Sequence, residues 1–355
     1  MDMIINKMPS PTWNWLKVNQ SSLNADILSE SAVSFSKPES VLYESVQNSE
    51  LSEISTGLGE DFSKLINSKD LTIHRFSVAK GVKIDEILRI DFNFDMEKKS
   101  AGIIEFDIEP GASLKVIMDY SLSNNGIDGG FGAVQTRVRL CENASLHIIQ
   151  VQRMEGNFTF VNDLGSINKD SSDFNITKLL LGGKNTYDGI SIDLKGHESK
   201  FLTEVGYLVK RDDRLDINYL SRHHGIKTQS EIEVKGVLKD RAFKIFRGTI
   251  DIVQGAVNAG GRETEEVLLI DDDVINKSIP VILCGEEDVE GAHGATIGKL
   301  DDELLFYMKS RGISEKEIYE IMAKARIEEL CQKIGDRLTV DRIHELTGGV
   351  SDEEF

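Results

Sequence analysis

Cysteine, proline and tryptophan are scarce in this chain, at three, five and two among 355 residues. Cys141, Cys284 and Cys331 lie far apart, and no Cys-x-x-Cys pair occurs. A sparse, odd set argues against a disulfide framework. It also argues against an iron–sulfur cluster held stably by this chain alone, because such clusters are usually held by four thiolates. No apolar run approaches the ~18–20 residues of a membrane span. Met1–Lys17 has no basic stretch leading into an apolar one, so it reads as mature, cytoplasmic protein. Positive charge is in deficit: 41 Lys and Arg against 60 Asp and Glu give a net charge of −19. Such a surface repels phosphate backbones and anionic lipid, so neither nucleic acid nor membrane is an expected partner.

Catalytic motifs are missing as well. Gly129-Gly130-Phe131-Gly132 and Gly182-Gly183-Lys184 lack the spacing and strand-to-helix context of a phosphate loop. No G-x-S-x-G elbow is present. Asp212-Asp213 and Asp271-Asp272-Asp273 sit beside turn signals and read as solvated loops, not as paired glycosidase carboxylates. The expectation is a protein that is not an enzyme.

What is present is alternation. Residues 1–70 read as an irregular N-terminal arm rich in Ser, Asn and Glu. Both tryptophans fall in Thr12-Trp13-Asn14-Trp15-Leu16, where packing onto the body is the expected role. From about Leu71, period-two runs such as Ile103–Ile108, Leu114–Met118, Val134–Leu140 and Leu146–Val151 mark strands. Turn signals separate them: Glu109-Pro110-Gly111, Asn124-Asn125-Gly126 and Glu142-Asn143. Ala-Ser-Leu opens a strand at 112–114 and again at 144–146. A body of short strands over 71–299 without a helix fits a sandwich, a barrel or a β-solenoid.

The last segment, 300–355, reads as helical. Asp301 is placed to cap one helix that Gly312 ends, and Ser314-Glu315-Lys316-Glu317 is a capping box for a second, closed by Gly335. On that second helix Ile318, Ile321, Met322 and Ala325 share a face, and Ile327, Leu330, Cys331 and Ile334 lie roughly opposite. Two apolar faces imply a helix packed on both sides, with a third helix from Thr339 to Gly348, or a partner protein, covering one of them. His223 and His224 are adjacent, so in a strand they point to opposite faces and would not chelate one ion. His293, flanked by Gly291, Ala292, Gly294 and Ala295, reads on composition as a turn histidine.

Gly291-Ala292-His293-Gly294-Ala295-Thr296-Ile297-Gly298-Lys299-Leu300-Asp301 and Leu305–Ile313 closely resemble the C-terminal signature of the SufB/SufD family of iron–sulfur assembly proteins. Val234-Lys235-Gly236-Val237-Leu238 and Phe246-Arg247-Gly248 resemble its KGVL and FRG stretches, and Thr12–Leu16 the opening of compact SufD-like members. The resemblance implies a mainly β protein: a right-handed parallel β-helix core followed by an α-helical C-terminal domain. It implies partners too, a SufB-like subunit or a second copy joined through the β-helix, and a SufC-type ABC ATPase on the helical domain. Leu305, Tyr307, Ile318 and Ile321 are expected to form or support that docking surface. His293 matches a SufD histidine implicated in assembly, so the resemblance makes it a metal-ligand candidate in a site shared between subunits, for transient iron or cluster. Glu265 stands where SufB has a cysteine and Gly294 where it has a glutamate, which points to the SufD side of the family. Cys284 matches no family position and is expected to be buried as a small hydrophobe. The alternatives are a self-sufficient homodimeric scaffold with SufC and, from another class, a β-helix enzyme acting on polysaccharide.

Overall fold

The alternating runs fold as strands of near-constant length that wind into two facing parallel sheets. The computed structural model describes residues 2–12, 14–123 and 129–347. Trp13, Asn124-Asn125-Gly126, Gly348 and the acidic tail therefore lie outside the described residues. Of the three architectures that alternation allows, the chain adopts a parallel β-solenoid of about eight turns. Each turn gives one strand to each sheet. The strands Lys99–Ile108, Phe131–Leu140 and Thr159–Asn168 are successive neighbours in one sheet, and Ser113–Leu122, Ser145–Met154 and Asp173–Gly182 in the other. The two Ala-Ser-Leu tripeptides stack, Ser145 on Ser113 and Leu146 on Leu114. Inward positions of both sheets make one continuous core that includes Phe92, Phe106, Leu146, Phe174, Ile217 and Phe246.

One row of corners between the sheets is held by left-handed residues. Asn143, Ser171, Glu198, Lys227 and Asn258 all have φ between 54° and 58°. Each amide donates to a carbonyl in the next turn, as Asn143 N does to Asp170 O at 2.8 Å. This bond across turns offsets the cost of a positive φ outside glycine.

Both outer faces are covered. The N-terminal segment is more structured than its composition implies, with strands such as Asp2–Ile5 and Val41–Val46 and helix α1, Glu60–Asn67. Met3, Ile5, Phe62 and Ile66 pack over Ala101, Ile103 and Val161 of the first sheet. Arg247, fully buried there, donates to Asp216 at 2.7 Å and to Ser21 at 3.1 Å. Trp15 takes no part: it stands 75% exposed on a single 3-10 turn, so the packing role expected of it is not found.

Three helices follow the solenoid: α2, Asp302–Ser310, α3, Glu315–Ile334, and α4, Arg337–Thr347. Asp301 and the Ser314/Glu317 box cap the first two as expected. The third is capped by Asp336, which accepts from Thr339 N at 2.9 Å, and Thr339 itself is buried in the first turn. α3 lies on the outer face of the second sheet, with Ile327, Leu330, Cys331 and Ile334 over Ile117, Val151 and Leu179. Met322 joins Tyr319 over Val237 and Leu268 of the same sheet, which leaves Ile321 and Ala325 uncovered instead of forming a second packed face. No described helix is long and apolar enough to cross a membrane.

Candidate functional site at the open end of the solenoid

The two ends of the solenoid are finished differently. At the N-terminal end, Ala32–Ser36 and Val41–Val46 pair antiparallel with the first strands of each sheet and break the parallel stack. Phe35 and Tyr43 close over Phe76, with ring centroids 5.2 and 5.3 Å away. At the other end the last strands, Ile275–Cys284 and Glu290–Gly298, each pair on one side only. The chain then leaves for α2, and α3 lies on the outer sheet face instead of across the end. Inward positions of these two strands are therefore half-buried or exposed, where every earlier turn is sealed.

His293 sits in this mouth. It pairs in register with Glu263, whose side chain is buried inside the solenoid, so the imidazole lies on the inward side of the terminal strand, exposed, with no further turn above it. It is a strand residue, not a turn histidine. Its small neighbours keep the rim low: Gly294 has nothing within 4 Å of where a Cβ would stand. Cys284 corrects the sequence reading, since it is exposed at the end of its strand, with Sγ 3.0 Å from Glu286 O. Gly291 packs on Ile282, so the position facing His293 is Pro280. Cys284 is four residues beyond Pro280, roughly 13 Å along the strand. The thiol and the imidazole do not converge on one ion within the chain.

Directly beneath the mouth lies a charged group that sequence reasoning missed. Lys244, Glu263 and Glu265 are all buried at inward positions. Lys244 Nζ donates to Glu265 Oε1, and Ser278 Oγ of the last turn donates to Glu265 Oε2. Glu263 Oε2 has no hydrogen-bond partner. Burial pushes the Glu263 carboxyl up to about 8, with Lys244 opposing, and burial pulls the Lys244 ammonium well below the lysine range. Deeper inside, Asp188 accepts from Lys178 at 2.7 Å, from Asn162 at 2.9 Å and from Tyr219. Gln150 links Asn162 to Tyr120 through two bonds of 2.9 Å. The apolar interior thus carries two buried polar groups, with Lys178 over the Tyr219 ring and Lys244 over the rings of Tyr207 and Phe246. The signal was present in the sequence: Lys178, Lys244, Glu263 and Glu265 occupy apolar phases of alternating strands.

The family motifs acquire physical reasons. In Phe246-Arg247-Gly248, Phe246 packs in the core, Arg247 holds the N-terminal segment, and Gly248 vacates the space that Glu263 fills. In Lys235-Gly236-Val237-Leu238, Lys235 pairs with Glu329 of α3 at 2.7 Å. Gly236 admits the Tyr207 ring, and Val237 packs under Tyr319. The second motif therefore seats the helical domain.

The adjacent histidines His223 and His224 have structural settings. His223 is buried between Thr228 Oγ1 and Ser230 Oγ, both 2.8 Å away, and burial pulls it down to about 4. His224 lies on the other face, 3.3 Å from Asp193. The four residues expected at a docking surface are divided. Ile318 is fully buried, Leu305 is half-buried, and Tyr307 and Ile321 are 55% and 46% exposed. Phe306, not anticipated, is 76% exposed beside them, and α2 has no buried residue at all.

The chain is thus a parallel β-solenoid capped at one end, with a helical appendage and with buried titratable groups near its open end. A family profile described as "SUF system FeS cluster assembly, SufBD core domain" matches residues 98–326, and the chain belongs to that family. It is 26% identical over 234 residues to the iron–sulfur cluster assembly protein SufD of Escherichia coli K12, covering 65% of this chain and 54% of that one. It is 26% identical over 210 residues to SufD of Bacillus subtilis 168, covering 59% and 48%. A SufBD family protein of Staphylococcus haemolyticus is 25% identical over 273 residues, covering 72% and 55%. The chain spans about half the length of these curated relatives.

Proposed function

We propose that the chain is a non-catalytic scaffold subunit of a SUF iron–sulfur cluster assembly complex, most like SufD. The observation that carries this reading is the open end. Strands Ile275–Cys284 and Glu290–Gly298 offer unpaired backbone edges and uncovered inward positions, an arrangement that invites pairing with another chain. A second solenoid, from a SufB-like subunit or another copy, would continue both sheets across the junction. His293 then faces a partner at a site this chain cannot complete, since it has too few thiolates to hold a cluster. Iron or a nascent cluster is the cargo there, bound transiently and shared between subunits.

The exposed apolar side chains of the helices, Phe306 and Tyr307 on α2 and Ile321 on α3, suit docking of a SufC-type ABC ATPase. Lys235 and Glu329, with Tyr319 on Val237, hold the helices to the solenoid, so docking would bear on the core. Co-expression with a SufB-like protein and a SufC-type ATPase tests the reading. A stable complex is expected, all ATP hydrolysis residing in the SufC-type subunit. Failure to recover the SufC-type ATPase, or ATP turnover by the pure chain, contradicts it. A homodimer with SufC alone would select the self-sufficient scaffold.

A further inference from the structure

Away from the open end, α3 and α4 bring together three donors of different chemistry. Glu328 and Cys331 are three residues apart on α3 and share a face. α4 brings His344 against them. One oxygen, the sulfur and one imidazole nitrogen lie within 4.8 Å of one another. His344 Nε2 stands 2.8 Å from Glu328 Oε2. Cys331 is buried, and Leu330, Ile334 and Ile343 form an apolar floor around it. A second triad, Asp107, Glu109 and Cys141, also converges, but the Arg139 guanidinium already grips both Asp107 oxygens.

We propose that Glu328, Cys331 and His344 form a three-donor site for a divalent transition-metal ion of the zinc class, joining α4 to α3. A thiolate, an imidazole and a carboxylate together suit a borderline-soft ion, and tetrahedral bonds of ~2.0–2.3 Å place donors roughly 3.4–3.8 Å apart. That is within the present spread. The ion enters between Nε2 and Oε2, which then separate; the Nε2 proton moves to Nδ1 in the neutral imidazole, or goes to solvent from the imidazolium, so that the Nε2 lone pair is free to bind. The Cys331 S–H bond breaks as the sulfur–metal bond forms, and the proton goes to solvent, so no electron is transferred. The fourth position stays open to water or an external ligand. The apolar floor excludes water from the sulfur side and strengthens the charge interactions made there.

The test uses the full chain carrying Cys141→Ser and Cys284→Ser, so that Cys331 is its single thiol, freed of metal by chelation and titrated with Co(II). One equivalent is expected to bind, with a thiolate-to-cobalt charge-transfer band and the visible bands of a four-coordinate ion, both erased by Zn(II). Adding His344→Ala or Glu328→Gln should each weaken binding by at least about tenfold, with the circular dichroism unchanged. A folded chain that gives no charge-transfer band overturns the site. So does a band whose affinity is untouched by both added substitutions.

Discussion

A Cβ at Gly248 would stand 2.1 Å from Oε2 of Glu263, so the side chain missing from one residue is the room occupied by the other. The backbone of Gly248 is ordinary strand, and the glycine is needed for space. Gly248→Ala is expected to cost roughly 1–3 kcal/mol, the usual effect of overpacking a filled interior. Chemical denaturation measures it, and a neutral result would mean that the carboxylate can move aside.

Glu263 itself sets a pH dependence. Its carboxyl is raised from 4.5 to about 8, so the folded state holds a proton that the unfolded chain releases. The stability it contributes is complete below pH ~4.5 and is lost as pH rises toward 8. Glu263→Gln keeps the neutral shape, so the variant should gain on wild type across that window, by on the order of 2–4 kcal/mol at its upper end. Equal denaturation midpoints for the two proteins at both pH values would contradict the burial argument.

His223 acts in the opposite direction. Burial lowers it from 6.5 to about 4, so the unfolded chain binds a proton that the folded one refuses. Its contribution is present above pH ~6.5 and lost as pH falls toward 4, on the order of 3 kcal/mol. Unfolding followed across that range should show the slope in wild type and a flatter one in His223→Gln. An unchanged slope in the variant would assign the acid sensitivity elsewhere.

Under the proposed function, exposure divides the helix residues into docking and supporting ones. Phe306→Ala with Tyr307→Ala should abolish capture of a SufC-type ATPase while leaving the thermal midpoint near wild type. Ile318→Ala should instead lower stability by about 2–5 kcal/mol, because it opens a cavity in a fully buried site. These substitutions are cleaner than deleting the helical domain, because α3 and α4 cover apolar sheet residues such as Ile117 and Leu179. Capture that survives the double variant would move the docking surface off α2.

The strands were legible because each alternates for long enough to fix its phase, and the stacked Ala-Ser-Leu openings marked the repeat. The choice of a solenoid over a sandwich or barrel was not legible in alternation, because period two describes a strand and says nothing of its neighbour. The capping of α2 and α3 was local chemistry and could be read directly. The α3 faces were misjudged for a nonlocal reason: Met322 and Ile327 reach the same broad sheet surface, which accepts a wider arc of the helix than a neighbouring helix would. His293 was found through motif resemblance, but its place on the inward side of a terminal strand depends on where the solenoid stops. Lys244 and Glu263 escaped notice because alternation shows which face of a strand a residue lies on, and not that two strands distant in sequence bring their charged side chains together inside the solenoid.

The account rests on His293 completing a shared site at the open end, and the direct measurement is cluster yield in the reconstituted complex. His293→Ala and, as a control, His224→Ala should each be assembled with the SufB-like and SufC-type partners and compared by visible absorption and iron content per complex. The account predicts intact assembly for both, with cluster formation strongly reduced only in His293→Ala. Wild-type cluster yield from a well-assembled His293→Ala complex would contradict it.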